Sequence, residues 1–79
     1  MEIAKAFGIV LRELRKEAGL TQEGLGLDAD LRRTFVSLLE LGQQQPTLTT
    51  IFKISSALNI EPSRMLELVE QRISEHDLT

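Results

Sequence analysis

Residues 21–41 read TQEGLGLDADLRRTFVSLLEL, and the fold turns on this stretch. Thr21 opens it as an N-cap, because a threonine oxygen accepts one of the backbone N–H groups that a helix start leaves unpaired. Gln22 and Glu23 then begin a helix with Leu25 and Ala29 facing inward. Asp30 suits a tight turn, since aspartate tolerates positive φ better than most side chains. A further helix is expected over residues 32–41, with Val36 and Leu39 inward and Gly42 as its stop. Two helices crossing steeply over a short turn need a small residue where their backbones meet, and Gly26 supplies it. Leu25, Gly26, Ala29, Leu31, Val36 and Leu39, arranged around Asp30, together spell a helix-turn-helix.

Upstream, Ile3, Phe7, Val10, Leu11, Leu14 and Ala18 recur at helical spacing, and Gly19 ends the run. Downstream, Gln43, Gln44, Gln45 and Pro46 form a loop. Thr47 or Thr49 then caps a fourth helix carrying Leu48, Ile51, Ile54, Ser55 and Leu58 at core spacing. Asn59 breaks it, and Pro62 fits the first turn of a fifth helix, whose apolar face is Met65, Leu66, Val69 and Ile73. No stretch alternates like a strand, and nothing repeats. The expected fold is all-α: a compact five-helix domain over residues 1–75, with residues 76–79 as a frayed tail.

Composition narrows the function. The chain has 79 residues, 42% hydrophobic and 27% charged, enough for one small core and no more. Without cysteine it has no disulfide, thiolate metal site or cysteine nucleophile. Its one histidine, His76, has no second ligand at metal-binding spacing, so neither metal nor other cofactor is expected. No paired acid and base or phosphate-cradling glycine loop suggests an enzyme. No apolar run has the roughly 18 residues of a membrane span, and no signal pattern opens the chain. A cytoplasmic protein with no small-molecule ligand is the resulting expectation. The net charge is -3, yet the first 60 residues hold seven acids and seven bases. The negative excess therefore lies entirely in the last 19 residues, and a local basic surface upstream remains possible.

The runs Leu20-Thr21-Gln22-Glu23, Leu31-Arg32-Arg33-Thr34-Phe35-Val36-Ser37, Leu39-Glu40, Gly42 and Pro46-Thr47-Leu48 resemble the Cro/lambda-repressor-like helix-turn-helix regulators, the xenobiotic-response-element class. The Arg-Thr-aromatic-aliphatic-Ser run leans towards the small stand-alone controller proteins of restriction–modification systems. The resemblance implies a double-stranded DNA ligand, with the third helix in the major groove, where base edges are distinguishable. It makes Arg33 the main base reader, through a guanidinium that can bind guanine O6 and N7 together. Thr34, Ser37 and Leu38 share its face, although Leu38 equally suits packing on a neighbouring loop. Arg32, Thr21, Gln22 and the loop glutamines Gln43 and Gln44 would touch phosphate and set register. Because glutamines release no counterions, the expected salt slope is shallow, roughly -3 to -4. Arg15 and Glu40 match the family's structural ion pair.

Two departures stand out: Gly24 in a helix interior, costing roughly 0.5–1 kcal/mol, and Asp30 in place of the common turn glycine, adding negative charge beside the reading helix. One recognition helix reads too few base pairs for useful specificity, so a homodimer on a palindromic operator is expected. Its interface is assigned to Met65, Leu66, Val69 and Ile73, with Phe52 on the fourth helix. The alternative is a protein–protein interaction module of the same fold, such as an antitoxin or anti-regulator, to which the neutral first 60 residues and the uncharged loop also lend themselves.

Overall fold

The computed structural model describes residues 1–77, and within them the chain forms five helices. These are α1 (Ile3–Glu17), α2 (Gln22–Ala29), α3 (Arg33–Glu40), α4 (Leu48–Ala57) and α5 (Pro62–Asp77). α1 packs against α3 and α5, α2 against α3 and α4, and α4 against α5. The core between them is built from Phe7, Val10, Leu11, Leu25, Val36, Leu39, Ile51, Ile54, Met65 and Val69, with Ala6 and Ala29 filling the narrow places. Ser55 is also buried; its hydroxyl is satisfied by donating 2.7 Å to the Ile51 carbonyl one turn back.

The boundaries of α2 and α4 have local causes. The Thr21 hydroxyl accepts from the Gly24 N–H at 2.9 Å, and Thr47, rather than Thr49, does the same for Thr50 at 3.1 Å. α2 ends at Asp30, left-handed at φ 56°, and α4 is followed by Asn59 at φ 55°. Both are residues whose short polar side chains tolerate that conformation. Gly24 is not simply a weak helix former in the wrong place. A Cβ there would sit 3.2 Å from the capping hydroxyl of Thr21, so the missing side chain leaves the cap its room.

Two glycines let helices approach closely. A Cβ on Gly26 would lie 2.6 Å from the Leu31 carbonyl oxygen, so the tight crossing of α2 and α3 requires its absence. A Cβ on Gly8 would lie 2.4 Å from the carbonyl oxygen of Leu39 and 2.6 Å from that of Glu40. α1 therefore rests directly on the last turn of α3.

Several sequence expectations need correction. Ile3, Ala18 and Leu48 keep helical spacing but are exposed, because each lies at a helix end: Ile3 opens α1, Ala18 is its C-cap and Leu48 opens α4. α3 begins at Arg33 with Arg32 as its N-cap in extended conformation, one residue later than expected. α5 remains helical through His76 and Asp77, where fraying was expected; Asp77 pairs with the amino group of Met1 at 3.3 Å. The remainder of that tail, Leu78 and Thr79, lies outside the described residues.

Candidate nucleic-acid interface

With Val36 and Leu39 turned into the core, α3 presents the opposite side outward. Arg33 and Thr34 in its first turn are exposed, and Ser37 and Leu38 are half-buried one turn later. Arg32 and Arg33 are not tied into ion pairs among the described residues, so both guanidinium groups are available to an external acceptor. Among the described residues no segment folds over this face: Arg32, Arg33 and Thr34 all remain exposed. Thr21, Gln22 and Arg33 line one open concavity together with Arg15 and Glu23, which brings the start of α2 beside the start of α3. Gln43 and Gln44 are exposed in the loop after α3, and the Gln43 N–H is anchored to the Leu38 carbonyl at 3.0 Å.

An ion pair fixes the back of this surface. Arg15 Nε donates to Glu40 Oε2 at 2.5 Å and Arg15 Nη2 to Glu40 Oε1 at 3.0 Å, the two-pronged geometry that guanidinium and carboxylate favour. The side chains are only 10% and 4% exposed. Arg15 Nη1 also donates to the Leu20 carbonyl at 2.9 Å, so α1, the α1–α2 connection and the end of α3 are held by one guanidinium. The hydrogen bonding from Arg15 to Glu40 raises the guanidinium's pKa above its ordinary value, overcoming the opposite effect of burial. The expected structural pair is therefore present, with the expected partners.

Gln22 holds a surprise. Its side-chain amide donates to Glu40 Oε1 at 3.1 Å instead of reaching outward freely. Sequence reasoning missed this because residues 22 and 40 are brought together only by the crossing of α2 and α3. The exposure of Leu41 at the end of α3 was missed as well, although it continues the outward ridge of Thr34 and Leu38 at helical spacing.

The five residues assigned to a dimer interface do not share a surface. Met65 is completely buried and Val69 nearly so, both packed among α1, α4 and α5 within the protomer. A residue already enclosed by its own core cannot meet a partner, so Met65 and Val69 do not belong to a dimer interface. Ile73 is half-buried against the same core. Phe52, 60% exposed, and Leu66, 44% exposed, remain open, and Leu48, one turn before Phe52 on α4, joins them. Ile3 and Leu66 meet across a hollow lined also by Ala4, Pro46 and Ile51.

A five-helix scaffold that braces two crossed helices and exposes the outer side of the second defines a helix-turn-helix DNA-binding regulator. Comparison with known proteins agrees: the chain belongs to the helix-turn-helix family of the Cro-like class, whose family model matches residues 11–65. Among curated relatives it is 37% identical to the control protein C.BamHI of Bacillus amyloliquefaciens, over 77% of this chain and 76% of that one. It is also 37% identical to the control protein C.MunI of a Mycoplasma species, over 89% of this chain and 96% of the relative. The crystal structure of the restriction-modification controller protein C.AhdI from Aeromonas hydrophila superposes with a TM-score of 0.77 at 42% identity, covering 78% of this chain and 94% of that one. These relatives are named as control or controller proteins. Among the described residues no cluster of His, Asp or Glu is arranged to hold a metal ion, and no helix is long and apolar enough to cross a membrane.

Proposed function

We propose that the protein binds a palindromic duplex operator as a homodimer and controls transcription as a restriction–modification controller does. The observation that carries this reading is the open face of α3, with Arg33 and Thr34 exposed and unpaired above a braced scaffold. Arg33 reads guanine by a two-pronged contact, and Thr34 offers a hydroxyl to a base edge and a methyl group to thymine. Ser37 and Leu38 extend the reading one turn further. Arg32, Thr21, Gln22, Gln43 and Gln44 hold the phosphates that set the register.

Two such faces, related by a two-fold axis, would read half-sites about 34 Å apart on one side of the duplex. The apolar residues that remain open, Phe52, Leu66, Leu48 and Ile3, support an interface on the α4–α5 side of the molecule. That arrangement keeps the acidic α5 away from the duplex, where its charge would repel phosphate. Control then follows protein concentration, because only the dimer reads a full site.

Selection of bound sequences from a random duplex pool tests this reading. Recovery of a palindrome establishes operator and symmetry together. Recovery of no preferred sequence contradicts it, and would favour the protein-binding alternative to which the uncharged loop and exposed Leu41 lend themselves.

A further inference from the structure

Glu40 carries more bonds than an ion pair needs. Each of its carboxylate oxygens already accepts from Arg15, at 2.5 and 3.0 Å, yet the carboxylate accepts a third bond, at Oε1, from Gln22 Nε2 at 3.1 Å. That extra bond satisfies nothing Arg15 has left unpaired. Its effect is on Gln22. The buried carboxylate, immobilised by the guanidinium, fixes the amide of a half-buried side chain at the first position of α2. A glutamine amide has two N–H groups and one carbonyl oxygen. One N–H is committed to Glu40. The other N–H and the carbonyl oxygen make no hydrogen bond among the described residues, and Gln22 lines the concavity that Thr21 and Arg33 also line. Gln43, Gln44 and Gln45, by contrast, are exposed and make no side-chain hydrogen bond among the described residues.

We propose that Glu40 is a positioning residue for DNA recognition: held by Arg15, it presets the Gln22 amide so that a backbone phosphate meets a donor already oriented beside Arg33. The inference rests on the DNA-binding reading above. A flexible glutamine would lose its rotamer freedom on binding, whereas here that loss is taken on folding. The free N–H of Gln22 suits a phosphate oxygen, which can only accept. Its carbonyl oxygen suits an N–H of the Arg33 guanidinium and can steady that side chain for its base.

A double-mutant cycle in the full chain tests it. Gln22→Ala, Glu40→Gln and the double variant are compared for affinity to the duplex that the wild type selects, with thermal melting recorded for each. Each single change should weaken binding about tenfold, and the pair little further, because both remove the same oriented donor. The slope of log affinity against log salt should stay unchanged in Gln22→Ala, since no charged contact is lost. Losses that multiply to about a hundredfold would overturn the proposal. If Glu40→Gln fails to fold, side-chain amide relaxation in the free wild type decides: Gln22 should be as rigid as the helix backbone and Gln43 mobile. Equal mobility of the two overturns the proposal. A wild type that selects and binds no duplex overturns the DNA-binding reading itself, an outcome distinct from additive losses in a protein that does bind.

Discussion

Arg33 and Gly8 show how single residues divide the work between function and fold. Arg33 is exposed and unpaired, so removing its side chain should leave stability nearly untouched while stripping a base contact. Arg33→Ala is expected to weaken operator binding by roughly 1–3 kcal/mol and relax preference at one base pair, read by titration against the selected duplex and single-base variants. An unchanged preference would remove Arg33 from the reading role. Gly8 lies at the opposite extreme. A methyl group there meets the carbonyls of Leu39 and Glu40, backbone atoms that cannot swing aside, in the turn of α3 that holds the Glu40 carboxylate. Gly8→Ala should cost about 1–3 kcal/mol in urea denaturation, the usual penalty of overpacking. A neutral result would mean that α1 can lift from α3 without loss.

At the scale of elements, the helix-turn-helix was the most legible part of the chain. A cap, a small residue, a turn residue and paired apolar positions all fall within residues 21–41, and each is a local signal. The structure follows them closely: Thr21 caps, Gly26 sits at the crossing, and Asp30 turns left-handed. What the sequence left open are relations between elements. The Gln22–Glu40 bond depends on the crossing angle of α2 and α3, and Gly8 matters only because α1 lies on α3. Apolar faces were also over-read, since a helical stripe does not say where it runs past the core at a helix end; Ile3 and Leu48, which open α1 and α4, stay wet.

The turn itself yields a prediction. Asp30 pays a small conformational cost at φ 56° and puts an acid beside the reading helix, with only a 3.9 Å exposed contact to Lys53 in return. Asp30→Gly should hold stability within about 0.5 kcal/mol, relief of the left-handed backbone offsetting the looser unfolded chain. It should also tighten binding to selected and random duplex alike, measurable by fluorescence anisotropy. Weaker binding would show that Asp30 supports the site.

For the whole molecule, the central correction concerns α5. Its sequence offers five large apolar residues and invites the idea of a surplus for dimerisation, but Met65 and Val69 are consumed by the protomer's own core. A small domain must bury nearly every apolar side chain it can reach. The surplus is instead Phe52, Leu66 and their neighbours. Phe52→Asp should shift the protein from dimer to monomer in sedimentation at tens of micromolar while leaving the helical circular dichroism intact, because the side chain is 60% exposed in the protomer. Its affinity for a full palindrome should fall towards that for a single half-site. A dimer that persists in the variant would move the interface elsewhere.

Recognition of a duplex by the outward side of α3 is tested most directly by titrating the nitrogen-15-labelled protein with its selected duplex. The largest backbone amide shifts should fall at Thr21, Gln22, Arg33, Thr34, Ser37 and Leu38 and in the Gln43–Gln44 loop, and should weaken together as salt is raised. Shifts confined to α4 and α5, with the amides of Arg33 and Thr34 unmoved at saturating duplex, would contradict it.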